Sequence, residues 1–184
     1  MKTLVIVSHP YPEQSTAIQA LEQAALAHGD GVEVRNLESL YGDNFSNSAF
    51  DVAAEQRAVE AADRIVFLFP VHWFNLTPML KAYMNQVWAY GWAFGSAFAM
   101  KGKELQVVVT AGATEFTYSA EGLIKSSIGE VLTPLKASAY YVGMLYNQPL
   151  AFYQAMGRSD ADLGEFKAAF TARLNAPLGA VLLD

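Results

Sequence analysis

The sequence predicts an α/β fold: a doubly wound, five-stranded parallel sheet in the order 2-1-3-4-5, with helices on both faces. Two observations predict it. Uninterrupted apolar runs such as Ile65-Val66-Phe67-Leu68-Phe69 belong to strands covered on both sides. These runs alternate along the chain with segments whose apolar residues recur at helical spacing, and right-handed crossovers then build an open parallel sheet.

Leu4, Val5, Ile6 and Val7 form the first strand, closed by His9-Pro10-Tyr11-Pro12. Ala17, Ile18, Leu21, Ala24, Ala25 and Leu26 then keep helical spacing up to His28-Gly29. Val32-Glu33-Val34 reads as a second strand followed by a longer loop with Asp43-Asn44 and Ser46-Asn47-Ser48. Asp51 can cap a helix carrying Val52, Ala53, Val59 and Ala62, which leads to the third strand, Ile65 to Pro70. Thr77-Pro78 supplies a cap and a first-turn proline for a helix through Met79, Leu80, Tyr83, Met84 and Val87. A fourth strand is expected over residues 105–110 and a fifth over 137–145. Ser159-Asp160-Ala161-Asp162 is a capping-box pattern that opens a last helix towards Arg173.

With 184 residues, 53% of them hydrophobic, the chain can bury one substantial core, so residues 1–184 are read as a single domain. A net charge of −6 offers no basic surface for a phosphate backbone, which argues against a nucleic-acid partner. Zero cysteines exclude thiolate metal sites and thiol redox chemistry, so any electron transfer needs a bound cofactor. No apolar run reaches the roughly 20 residues of a spanning helix, and the first strand ends in a polar turn rather than a cleavage site. The expected location is cytoplasmic.

In a doubly wound sheet a ligand lies outside the carboxyl ends of the strands, where the strand order reverses. Three loops meet that description. The first runs from His9 to Ala17 and ends in Ser15-Thr16 at a helix start, where free amides, the helix dipole and two hydroxyls suit a phosphate, although the same residues also make an ordinary N-cap. The dinucleotide and triphosphate fingerprints are both missing, which favours FMN. The second loop, Pro70-Val71-His72-Trp73-Phe74, offers aromatic rings for stacking and backbone donors for a flavin edge, with core packing as the plainer reading. The third, Thr110-Ala111-Gly112-Ala113, is small enough for close main-chain approach. His9 and His72 follow neighbouring strands, but with only Glu13 as a nearby carboxylate they suit hydrogen bonding better than metal, and no metal is expected.

At these residues the sequence resembles the NAD(P)H:quinone oxidoreductases of the flavodoxin-like fold, especially the ancillary oxidoreductases of glutathione-regulated potassium-efflux systems. The likeness is carried by His9-Pro10-Tyr11-Pro12 with Ser15 and Ala17, Asp51 with Ala54-Glu55-Gln56, Phe69-Pro70-Val71-His72-Trp73-Phe74, Pro78-Met79-Leu80-Lys81 and Gly91-Trp92-Ala93-Phe94-Gly95. It implies tightly but noncovalently bound FMN, NAD(P)H as co-substrate, and two-electron reduction of a quinone or another small electrophilic acceptor. Its FMN contacts map onto His9, Ser15, Thr16 and Ala17, onto Pro70 and Val71 to Phe74, and onto Thr110 to Ala113. Tyr118 matches the catalytic tyrosine beside the flavin, whereas Ile124 stands where some quinone reductases have a histidine. The resemblance also implies a homodimer, and the aromatic stretch suggests an interface of Tyr83, Trp88, Tyr90, Trp92 and Phe94. Rival readings are a nitro- or azo-reductase on the same scaffold, a regulatory subunit docking on a potassium-efflux membrane protein, and an electron shuttle.

Overall fold

The computed structural model describes residues 1–42 and 50–183. The loop residues Asp43-Asn44 and Ser46-Asn47-Ser48 lie outside the described residues. The chain runs β1 (Thr3–Val7), α1 (Thr16–Ala27), β2 (Val32–Asn36), α2 (Leu37–Tyr41), α3 (Val52–Ala61), β3 (Arg64–Pro70), α4 (Pro78–Val87) and β4 (Glu104–Thr110). It continues through α5 (Ile128–Val131), α6 (Thr133–Tyr141), β5 (Leu145–Tyr146), β6 (Leu150–Phe152) and α7 (Asp160–Asn175). The sheet order is β2-β1-β3-β4-β5, all neighbours are parallel, and β6 also pairs with β4.

Side chains alternate across the sheet, so each central strand feeds two cores. Leu4, Ile6, Ile65, Phe67, Phe69, Leu105 and Val107 meet α3, α4 and α6 on one face. Val5, Val7, Val66, Leu68 and Val108 meet Ile18 and Leu21 of α1 and Phe170 and Leu174 of α7 on the other. Caps fix where the helices begin: Asp51 accepts from the Ala54 amide at 3.0 Å and Thr77 from that of Leu80 at 3.4 Å. Ser159 and Asp162 complete the expected capping box.

The expected fifth strand over residues 137–145 is a correction. Residues 137–141 are helical, as the last turns of α6, because Leu135, Ala139 and Val142 recur on one buried face at helical spacing while Tyr140 and Tyr141 are exposed. Gly143, at φ 79°, ends the helix. The fifth position is instead shared by β5, against Glu104 and Leu105, and β6, against Val108, Val109 and Thr110. The long loop expected after β2 also begins with a helix, α2, capped by Asn36, whose side chain accepts from the Ser39 amide at 3.0 Å. A third correction concerns the aromatic stretch: Tyr83 is fully buried in the core of this chain, which withdraws it from any interface, whereas Trp88, though mostly buried, lines a surface groove between α4 and α6 and Tyr90 is 75% exposed.

Arg64 opens β3 fully buried, and its Nε donates to Glu104 Oε2 at 2.8 Å. Its other nitrogens donate to the carbonyls of Arg173, Leu174, Ala176 and Pro177, which closes the end of α7. Glu104 also accepts from Asn147 Nδ2 at 3.0 Å and from the Gly179 amide.

Candidate functional site

A cleft of about 480 Å³ opens at the carboxyl ends of β1, β3 and β4, within the range of cofactor-sized sites. The structure brings His9, Ser15, Thr16 and Ala17 into its walls, with Pro70, Val71 and His72 and with Thr110, Ala111 and Gly112. Trp73, Phe74, Ala113 and Tyr118 are not among the wall residues.

His9 is buried, and its Nδ1 accepts the Tyr11 amide at 2.9 Å, so the neutral ring carries its proton on Nε2. Burial, and then the nearby His72, pull its pKa down to about 4. The two rings stand edge to face, 5.9 Å apart, and burial also lowers the pKa of His72. Both side chains are therefore neutral near pH 7.

Ser15 caps α1 by accepting from the Ile18 amide at 3.2 Å, and its carbonyl accepts from Gln19. The hydroxyl hydrogen of Ser15 is left to donate, and the Thr16 and Ala17 amides, in the first turn, have no acceptor within the helix. The cap and the phosphate-loop readings of this segment are thus compatible.

In the second loop His72 and Asn75 exchange backbone hydrogen bonds of 3.2 and 2.9 Å around a two-residue turn. Trp73 and Phe74 occupy its centre at φ 46° and 61°, a left-handed pair usually given to Asn-Gly. Strain of this kind persists where the surroundings impose it, and it concentrates at functional sites. Trp73 is 94% exposed. Phe74 approaches Tyr118, with ring centroids 6.3 Å apart, and Tyr118 approaches Tyr153 at 5.9 Å, an aromatic row joining the second and third loops to the segment after β6. Tyr118 is buried, and burial raises its pKa, so its hydroxyl stays protonated.

The Val71 amide donates to the Thr110 carbonyl at 2.9 Å, which locks the second loop to the third. A Cβ added at Gly112 would meet only Met156 Sδ, at 3.6 Å, so the protein's own packing does not require a glycine there.

Sequence reasoning missed a fourth wall, Ala155, Met156, Gly157 and Arg158; Tyr11 and Gln14, within the expected His9 to Ala17 loop but not singled out as contacts, also line the cleft. The Ala155 amide donates to Ala111 and that of Gln154 to Ala113, both at 3.0 Å, pinning this segment against the third loop. The available signal was its place after the last strand, immediately before the Ser159 capping box.

The profile of the flavodoxin-like fold family matches residues 1–174. The chain belongs to the flavodoxin-like family. Among its flavodoxin-like relatives, the uncharacterised NAD(P)H oxidoreductase YdeQ of Bacillus subtilis is 39% identical over 166 residues, 90% of this chain and 82% of the relative. The glutathione-regulated potassium-efflux system ancillary protein KefF of Klebsiella pneumoniae is 39% identical over 152 residues, 82% of this chain and 81% of KefF. Among solved structures, general stress protein 14 of Treponema denticola in complex with FMN superposes with a TM-score of 0.84 at 35% identity, covering 95% of this chain and 96% of that one. An NADPH-quinone reductase of P. pentosaceus superposes with a TM-score of 0.85 at 28% identity, covering 96% and 100%. Among the described residues of this flavodoxin-like chain no helix is long and apolar enough to cross a membrane.

Proposed function

We propose that this chain is an FMN-dependent NAD(P)H oxidoreductase that reduces quinone-like acceptors by two electrons. The observation that carries the reading is the union of the three strand-end loops in one cleft. The α1 end supplies amides and hydroxyls for a phosphate. The second and third loops, tied by the Val71–Thr110 bond, present main chain and small side chains to a flat ring. Gly112, which the protein's own contacts leave free to be larger, suits close approach of such a ring.

When bound, FMN supplies the hydride acceptor and donor chemistry that no side chain of this cysteine-free protein provides. The protein's residues bind and orient it. His9, held by the Tyr11 amide, offers a fixed neutral Nε2–H donor, and the strained turn that carries Trp73 and Phe74 follows directly on His72 of the cleft wall. NAD(P)H and the acceptor take turns on one open side, a ping-pong arrangement, and Tyr118 acts as a hydroxyl donor next to Phe74. The working form in this reading is a cytoplasmic homodimer. Exposed Tyr141, lining a groove of about 550 Å³ between α4 and α6, and exposed Tyr90, packed against Phe94 of that groove, support the dimer. Likeness to an efflux ancillary protein supports a second role, peripheral docking on such a membrane protein.

The purified protein is expected to be yellow, to release roughly one FMN per chain, and to oxidise NAD(P)H with quinones along parallel double-reciprocal lines. Light scattering of the same preparation is expected to report a dimer. A colourless protein that takes up no added FMN would overturn the reading. A panel of quinones, nitro and azo compounds ranks the acceptors.

Tyr118→Phe is expected to slow turnover on the order of 10-fold while leaving FMN affinity unchanged, since it removes one donor outside the cleft walls. Identical half-reactions in stopped flow would reduce Tyr118 to a packing residue.

A further inference from the structure

The charge balance of the cleft departs from that of the whole chain. The sequence has 18 acidic residues against 12 Lys and Arg, yet among the described residues lining the cleft there is no carboxylate, and Arg158 is the one permanent cation. The two histidines of the cleft walls are neutral near pH 7. A low-dielectric cleft with one fixed cation and no carboxylate in its walls favours an anion.

Arg158 is also held in place. Its Nε donates to the Gln154 carbonyl at 2.6 Å, and its Nη2 to the Tyr153 carbonyl at 3.0 Å and to Gln154 Oε1 at 3.3 Å. These acceptors are neutral, so among the described residues charge compensation comes only from a long, partly exposed ion pair with Asp162. The Oδ1 of Asp162 is 3.8 Å from Nη1, an ion-pair distance too long for a hydrogen bond. The other oxygen of Asp162 is committed to Ser159, accepting from its amide at 3.1 Å and its hydroxyl at 2.8 Å. Nη1 therefore has N–H donors to spare on a guanidinium that its loop has already positioned.

We propose that Arg158 is the phosphate-selecting residue of this cleft, recognising a phosphate monoester dianion through charge-assisted hydrogen bonds. The inference rests on the functional reading above and adds to it a selectivity. Two phosphate monoesters reach such a site: the 5′-phosphate that distinguishes FMN from riboflavin, and the 2′-phosphate that distinguishes NADPH from NADH.

The test compares wild type with Arg158→Gln. Apoproteins are titrated with FMN and with riboflavin by flavin fluorescence, and the reconstituted proteins are assayed with NADPH and NADH at fixed quinone. If the partner is the FMN phosphate, the Kd for FMN rises about 10- to 100-fold while that for riboflavin holds. If it is the 2′-phosphate, the NADPH-to-NADH ratio of kcat/KM falls about 10-fold while FMN affinity holds. Arg158→Lys, which keeps the charge and loses the fork, is expected to fall between wild type and the glutamine variant.

Equal loss of FMN and riboflavin binding would mark Arg158 as a support for residues 153–158 and overturn the proposal. Both ratios within about twofold of wild type would overturn it too, alone, in a wild type that binds FMN. A wild type that binds neither flavin would overturn the functional reading and this inference with it.

Discussion

Ser15→Asp combined with Thr16→Glu is expected to abolish FMN binding, raising Kd on the order of 100-fold or more, while the fold keeps or gains stability. The opposite signs follow from one location. Ser15 caps α1 by accepting the Ile18 amide, a bond that an aspartate makes equally well. Acidic residues in a first helical turn also favour the helix by opposing its dipole. The same two negative charges would stand where the cleft meets the Thr16 and Ala17 amides, the place assigned to the phosphate. Titration with FMN and urea unfolding of the apoprotein decide the matter together. Unchanged FMN affinity would remove this loop from the site, and joint loss of affinity and stability would show only a broken helix start.

The largest effect on stability is expected from Arg64→Met, about 3–5 kcal/mol in urea unfolding. The arginine is fully buried between the sheet and the end of α7, and its removal strands Glu104 without its cation. It also uncaps the carbonyls of Arg173, Leu174, Ala176 and Pro177. Adding Glu104→Leu should recover part of the loss, because an apolar pair carries no unpaired charge, but the helix end stays uncapped. A single variant that loses less than about 1 kcal/mol would show that water reaches the pair.

Three of the four cleft walls were legible because their strands announce themselves. β1, β3 and β4 are buried along their whole lengths, and the loop after each is found by asking where its apolar run stops. The fourth wall was hidden by a misplaced strand. β5 has two residues and β6 three, too short to show a period, whereas Ala139, Tyr140, Tyr141 and Val142 look strand-like by composition and are held helical, or at the helix end, by Leu135 and Ala139 packing on the core. With the last strand set at residues 137–145, residues 155–158 did not count as a strand-end loop. The left-handed turn at Trp73 and Phe74 was equally invisible, since neither residue advertises that conformation. α2 escaped for its length, although Asn36 was a legible cap.

The division of the fifth sheet position into β5 and β6 has a consequence for the protein in a crowded solution. An unpaired edge of six or seven extended residues is a template onto which a strand of another chain can add. Here residues 147–149, with a proline, interrupt that edge, and residues 181–183 run back across it. Leu183 donates to the Tyr146 carbonyl at 2.9 Å and Gln148 to that of Val181 at 2.7 Å, in antiparallel fashion. Among the described residues, the stretch of edge left open on this side is β6, three residues long. A sheet built to gather loops at one end is thereby guarded along its flank against polymerising with its neighbours.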